Sequence, residues 1–81
     1  MSSQLYKYQP LERLRAERKL RGLSTRELAE KSGVARQTIE ALEYGISNPL
    51  EIKLSTLIKL CKALKLKAYD LFPSNELKAR R

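Results

Sequence analysis

Arg36, Gln37, Glu40 and Glu43 crowd into one short stretch, "SGVARQTIEALEYG" (residues 32–45), which has a helical pattern and closes on a glycine. Arginine and glutamine can make two-point pairs with guanine and adenine edges, so such a run can serve as a nucleic-acid reading head. Two carboxylates in the same run are then odd, because they face a polyanion. An ordinary amphipathic helix would carry the same residues as a solvated surface. On this stretch alone both readings stay open.

Other chemistry is largely excluded by what the chain lacks. Its 81 residues contain no His, no Trp and one Cys, so no imidazole or thiol metal cluster and no internal disulfide can form. Without His the commonest general base is missing, and Asp70 is the sole aspartate. No apolar run approaches the roughly 20 residues of a membrane span, and "MSSQLYKYQP" lacks the apolar centre of a signal peptide. These features predict a cytoplasmic, non-enzymatic protein without metal or cofactor. Seventeen Lys and Arg against nine Asp and Glu give a net charge of +8. That excess suits a nucleic acid or an anionic membrane, although solubility alone accounts for part of it.

The elements that must position these residues are legible from punctuation. One small domain is expected over residues 10–73, preceded by an arm (1–9, with Leu5, Tyr6 and Tyr8) and followed by a basic tail (74–81). Pro10 suits a helix start, and "PLERLRAERKLR" runs through strong helix formers to Gly22. Ser24 and Glu27 form a capping box opening the short helix "TRELAEKS", which Gly33 closes as a left-handed cap. "ARQTIEALEY" makes a third helix. After the Asn-Pro turn, "LSTLIKLCKALKL" places Leu54, Leu57, Ile58, Cys61 and Leu64 along one face, with Lys59, Lys62 and Lys65 on another. "KAYDLF", ended by Pro73, supplies a fifth, short helix. The fold class is all-α, a compact domain of five helices with no strand signal.

Two short helices joined by a glycine turn describe a helix-turn-helix. Ala29 must be small where the next helix crosses it, and Gly33 must tolerate positive φ. Leu28, Val34, Ile39 and Leu42 must be apolar to lock the pair. All of these are present. With "RGLSTRELAEKSGVARQTIEALEYGISNP" and "LSTLIKLCKALKLKAYDLF" in order, the chain resembles the phage repressor and Cro (XRE-type) DNA-binding domains from about Leu11 to Phe72.

The resemblance implies a regulator of transcription that binds double-stranded DNA, with the third helix in the major groove. Arg36 and Gln37 match the family's first reading positions, and Thr38, Glu40 and Ala41 complete the outward face. Ala41 can meet only a thymine methyl. Glu40, one turn after Arg36, is expected mainly to orient that arginine, the alternative being acceptance from a cytosine N4. Glu43 matches the acid that pairs with Arg18 as scaffold, with Arg15 a competing partner. Ser24, Thr25 and Arg26 at the start of the second helix, and Tyr44, Ser47 and Asn48 after the third, are phosphate-contact candidates. Ser24 is equally a cap, and Asn48 a turn former.

Four departures from the family pattern matter. Ala35 stands where Ser or Thr usually caps the third helix, and Thr25 replaces a phosphate-binding glutamine. The loop "ISN" is neutral where a basic one is common, which leaves backbone donors or Lys53 to hold phosphate there. "LEI" (Leu50 to Ile52) is a three-residue insertion; Leu50 and Ile52 either tuck onto the core or join Tyr69 or the N-terminal tyrosines in an apolar patch. Relatives commonly bind palindromic operators as two-fold homodimers, so a homodimer is expected, with no membrane role. An antitoxin-like or protein-interaction module on the same fold is the competing function.

Overall fold

The computed structural model describes residues 8–71. The expectations that fall on Leu5, Tyr6, Phe72, Pro73 and the basic tail (74–81) lie outside the described residues, as does the side chain of Tyr69. Four α-helices follow in order: α1 (Glu12–Leu20), α2 (Thr25–Ser32), α3 (Arg36–Tyr44) and α4 (Leu54–Leu64). Two single 3-10 turns, Pro49–Glu51 and Ala68–Leu71, complete the described elements.

Among the described residues the α-helices therefore number four, and the expected fifth helix is a 3-10 turn. Lys65 adopts a left-handed conformation (φ 58°) that closes α4, and the chain re-enters helical geometry only as the short 3-10 turn Ala68–Leu71. The Asp70 carboxylate then accepts from the Lys67 amide (3.1 Å), a local bond that favours the tight turn. Leu71 still reaches the core and is fully buried.

The helix starts and stops follow local chemistry. At α2 the Ser24 hydroxyl accepts from the Glu27 amide (3.0 Å) while the Glu27 carboxylate accepts from the Ser24 amide (2.8 Å). Gly33 takes φ 81° and donates back to the Ala29 carbonyl. At α3 no side chain caps the N-terminus, since Ala35 has none to offer. Gly45 closes α3 at φ 78°, and a Cβ there would overlap the Tyr8 carbonyl oxygen. The Tyr8 amide in turn donates to the Gly45 carbonyl (2.9 Å), so the chain preceding α1 is pinned to the end of α3.

Leu11, Leu14, Leu28, Ile39, Leu60, Leu64 and Leu71 are fully buried in a single cluster that all four helices share. α2 packs on α3 and α4, while α1 packs on α3 and on the Ala68–Leu71 turn. The buried face of α4 is Leu60, Ala63 and Leu64, with Leu57 and Cys61 at its edge. Leu54 and Ile58, expected on that face, point outward and are 71% and 46% exposed. Apolar residues cover more than half of the circumference of α4, so their spacing did not single out one face; packing against α2 and the Ala68–Leu71 turn did. The insertion is divided likewise: Ile52 packs against the core, whereas Leu50 is about half exposed.

Candidate nucleic-acid interface

The outward face of α3 is assembled by what its inner face must do. Ile39, Leu42 and Glu43 are buried, so the 3.6-residue period turns Arg36, Gln37 and Thr38 to solvent. Glu40 and Ala41 are half-buried beside them. The first turn of α3 thus presents one arginine, one amide and one hydroxyl within a few ångströms of helix rise, on an element fixed by α1 and α2.

Glu43 is nearly inaccessible and faces α1. Arg18 grips it with two bonds, Nε to Oε2 (2.7 Å) and Nη2 to Oε1 (3.0 Å), and its Nη1 donates to the Leu23 carbonyl (2.7 Å). Every bond is charge-assisted, and the carboxylate raises the pKa of Arg18 further. Arg15 goes elsewhere: its guanidinium carbon sits 6.0 Å from the centre of the Tyr44 ring.

Glu40 holds two partners on one oxygen. Its Oε2 accepts from Arg36 Nε (2.9 Å) and from the Thr25 hydroxyl (3.0 Å). Arg36 and Thr25 together hold the Glu40 carboxyl below the ordinary glutamate range. The Thr25 hydroxyl, a phosphate candidate from its place at the start of α2, is therefore directed at α3. Nothing in the local sequence signals that bond, because the two residues are fifteen positions apart.

The remaining phosphate candidates fall into two groups, with Tyr44 apart from both. Ser24 and Arg26 flank the start of α2; Ser24 serves the capping box, and Arg26 is exposed within 3.7 Å of Glu30. Thr38, Ser47, Asn48 and Lys53 line one shallow groove along the far edge of α3. There the amides of Ile46 and Ser47 both donate to the Ala41 carbonyl (2.9 and 3.2 Å), closing the helix end. Asn48 Oδ1 accepts from the Leu50 amide. With those groups committed, the exposed Lys53 is the cation that the groove offers. Tyr44, exposed and lining a separate groove beside α1, carries the Arg15 contact.

One arginine outside the expected set matters to the scaffold. Arg21 donates to the Glu17 carboxylate (2.6 Å) and, through Nη2, to the Leu64 carbonyl at the end of α4. The Glu17 partner is legible as an i,i+4 pair; Leu64, 43 residues away, is not. Among the described residues no group of three or more Cys, Asp and Glu could hold a metal ion, and no helix is long and apolar enough to cross a membrane.

Comparison with known proteins agrees with this geometry. A family model described as helix-turn-helix matches residues 14–71. Among solved structures, the chain is similar to the restriction-modification controller protein C.AhdI from Aeromonas hydrophila. The identity is 34%, the TM-score 0.68, and the match covers 86% of this chain and 98% of that one. Among curated proteins none matches.

Proposed function

The chain belongs to the XRE-type helix-turn-helix family of DNA-binding transcriptional regulators, and from that premise we propose how it reads DNA. α3 enters the major groove with Arg36 and Gln37 on base edges and Thr38 beside them, while α2 crosses the phosphate backbone. The observation that carries this reading is the division of α3: Ile39, Leu42 and Glu43 are buried, and Arg36, Gln37 and Thr38 are exposed in its first turn. Arg36 suits guanine O6 and N7, and Gln37 suits adenine N6 and N7. Ser24 and Arg26 on one side, and Ser47, Asn48 and Lys53 on the other, supply phosphate contacts, with Tyr44 near the α1 flank. The protein acts without catalysis or cofactor, in the cytoplasm where its DNA lies.

We further propose that it binds a palindromic operator as a two-fold homodimer. Leu54 and Ile58 lie one turn apart on α4, and their exposure gives an apolar stripe that a second copy can cover. Selection from random duplexes tests the whole reading. An enriched motif made of two inverted half-sites is expected. Equal affinity for all duplexes, with no motif enriched, would defeat it. Since the similar solved protein is a restriction-modification controller, promoters of such systems are the first natural DNA to try.

A further inference from the structure

Glu40 joins two parts of the interface that are expected to do different jobs. Thr25 opens α2, the element assigned to the backbone, and Arg36 opens α3, the element assigned to the bases. Both donate to the same atom, Glu40 Oε2, at 3.0 and 2.9 Å. The Arg36 side chain is 60% exposed and the Glu40 side chain 34%, so the pair sits at the edge of the reading surface.

The consequence for Arg36 follows from its donor set. A guanidinium carries five N–H donors in one rigid plane, one on Nε and two on each terminal nitrogen. Glu40 occupies the Nε donor. What remains for a base is the terminal fork, Nη1 and Nη2, which matches guanine O6 and N7 end-on. The plane of that fork is set by a carboxylate that Thr25 holds from the neighbouring helix.

Glu40 also acts on sequences that do not match. An arginine released from its partner can follow the nearest phosphate, which is attraction without sequence information. A fixed negative charge beside it opposes that drift and repels every duplex alike. Such a charge is expected to lower affinity on all DNA, the loss being offset only where guanine stands in line with the fork.

We propose that Glu40, held by the Thr25 hydroxyl, is a positioning residue that sets the specificity of Arg36 by confining it to an end-on grip. The proposal rests on Arg36 reading a base. It makes Thr25 part of the base-reading apparatus instead of a phosphate contact.

Four variants test it against the selected operator and a scrambled duplex at matched salt. Glu40→Gln is expected to raise affinity for the scrambled duplex and to lower the ratio of specific to scrambled binding roughly tenfold, within the range of one two-point base contact. The loss of preference falls at the guanine read by Arg36. Thr25→Val moves both quantities in the same direction by less, and Thr25→Ser, which keeps the hydroxyl, restores them. In the DNA-free protein the Arg36 Nε–H exchanges faster with solvent in Glu40→Gln, a readout that general loosening elsewhere leaves alone.

An unchanged ratio in Glu40→Gln overturns the proposal, as does a loss confined to a cytosine position, which would make Glu40 itself a reader. Thr25→Val weakening all duplexes equally removes Thr25 from the apparatus. Arg36→Ala separates the two levels. If guanine preference survives Arg36→Ala, the base-reading role of Arg36 fails; if it vanishes there but persists in Glu40→Gln, only the positioning role fails.

Discussion

The residues of α3 divide by the direction in which their side chains point, and each direction has its own test. Gln37 is exposed with no hydrogen-bond partner among the described residues, so Gln37→Ala is expected to relax preference at a single base position and leave stability alone. Arg26→Ala should instead weaken binding to every duplex alike and lower the salt slope by about one. Comparing the two across salt concentrations separates reading from grip. Glu43 behaves differently because it is 4% exposed and bonded twice to Arg18. Glu43→Ala leaves a buried guanidinium without its carboxylate and is expected to cost about 3–5 kcal/mol, read from urea unfolding. In a domain of this size that is a large part of the total stability. The two acids of α3, odd at first sight in a DNA reader, thus have separate roles: Glu43 ties α3 to α1, and Glu40 faces Arg36.

At the scale of elements, stability depends on how the helices begin, end and carry charge. α3 opens at Ala35, whose extended backbone (φ −58°, ψ 139°) suits a capping residue that alanine is not. Ala35→Ser is expected to stabilise the protein by about 1 kcal/mol, seen as a higher melting temperature. Two glycines close helices with the same left-handed geometry but different surroundings. Gly33→Ala meets open space and carries only the backbone penalty, about 1 kcal/mol. Gly45→Ala adds a collision with the Tyr8 carbonyl, so it is expected to be distinctly more destabilising and to release the segment before α1. On α1, Glu17 bonds Arg21 (2.6 Å) and Arg13 (2.7 Å), and these two hold its carboxyl below the ordinary value of 4.5. A folded pKa below the unfolded one makes the contribution complete above that ordinary value and lost as pH falls through the folded value. Unfolding midpoints should therefore drop in acid, and Glu17→Gln should flatten that drop.

For the whole molecule, the remaining surface question is what covers α4. Leu54 and Ile58 are exposed although the helix is firmly packed through Leu60 and Leu64. If that stripe is the homodimer surface, Ile58→Glu should shift sedimentation toward monomer at micromolar concentration. It should also weaken binding to a two-half-site operator far more than to one half-site. Monomeric wild-type protein under the same conditions would exclude this dimer. The order of helices, the capping box and the glycine stops were all visible in the sequence, because each depends on residues within a few positions. The outward face of α3 was visible for the same reason. The core-facing side of α4 was not, since Leu54, Leu57, Ile58, Leu60, Cys61 and Leu64 spread over a sector wider than the buried face and only contact with other elements selects among them.

The sequence by itself therefore determined the helix-turn-helix, the type of partner and the short set of residues that the first turn of α3 presents to solvent. Those follow from period, caps and residue chemistry, which are local. The tertiary structure decided which distant groups meet: the Thr25 hydroxyl with Glu40 across fifteen residues, Arg21 with the end of α4 across 43, and the Tyr8 segment with Gly45. It also turned the expected fifth helix into a single 3-10 turn after the left-handed Lys65. Such pairings depend on how the helices cross, and crossing is set by the packing of one shared core, to which all elements contribute at once.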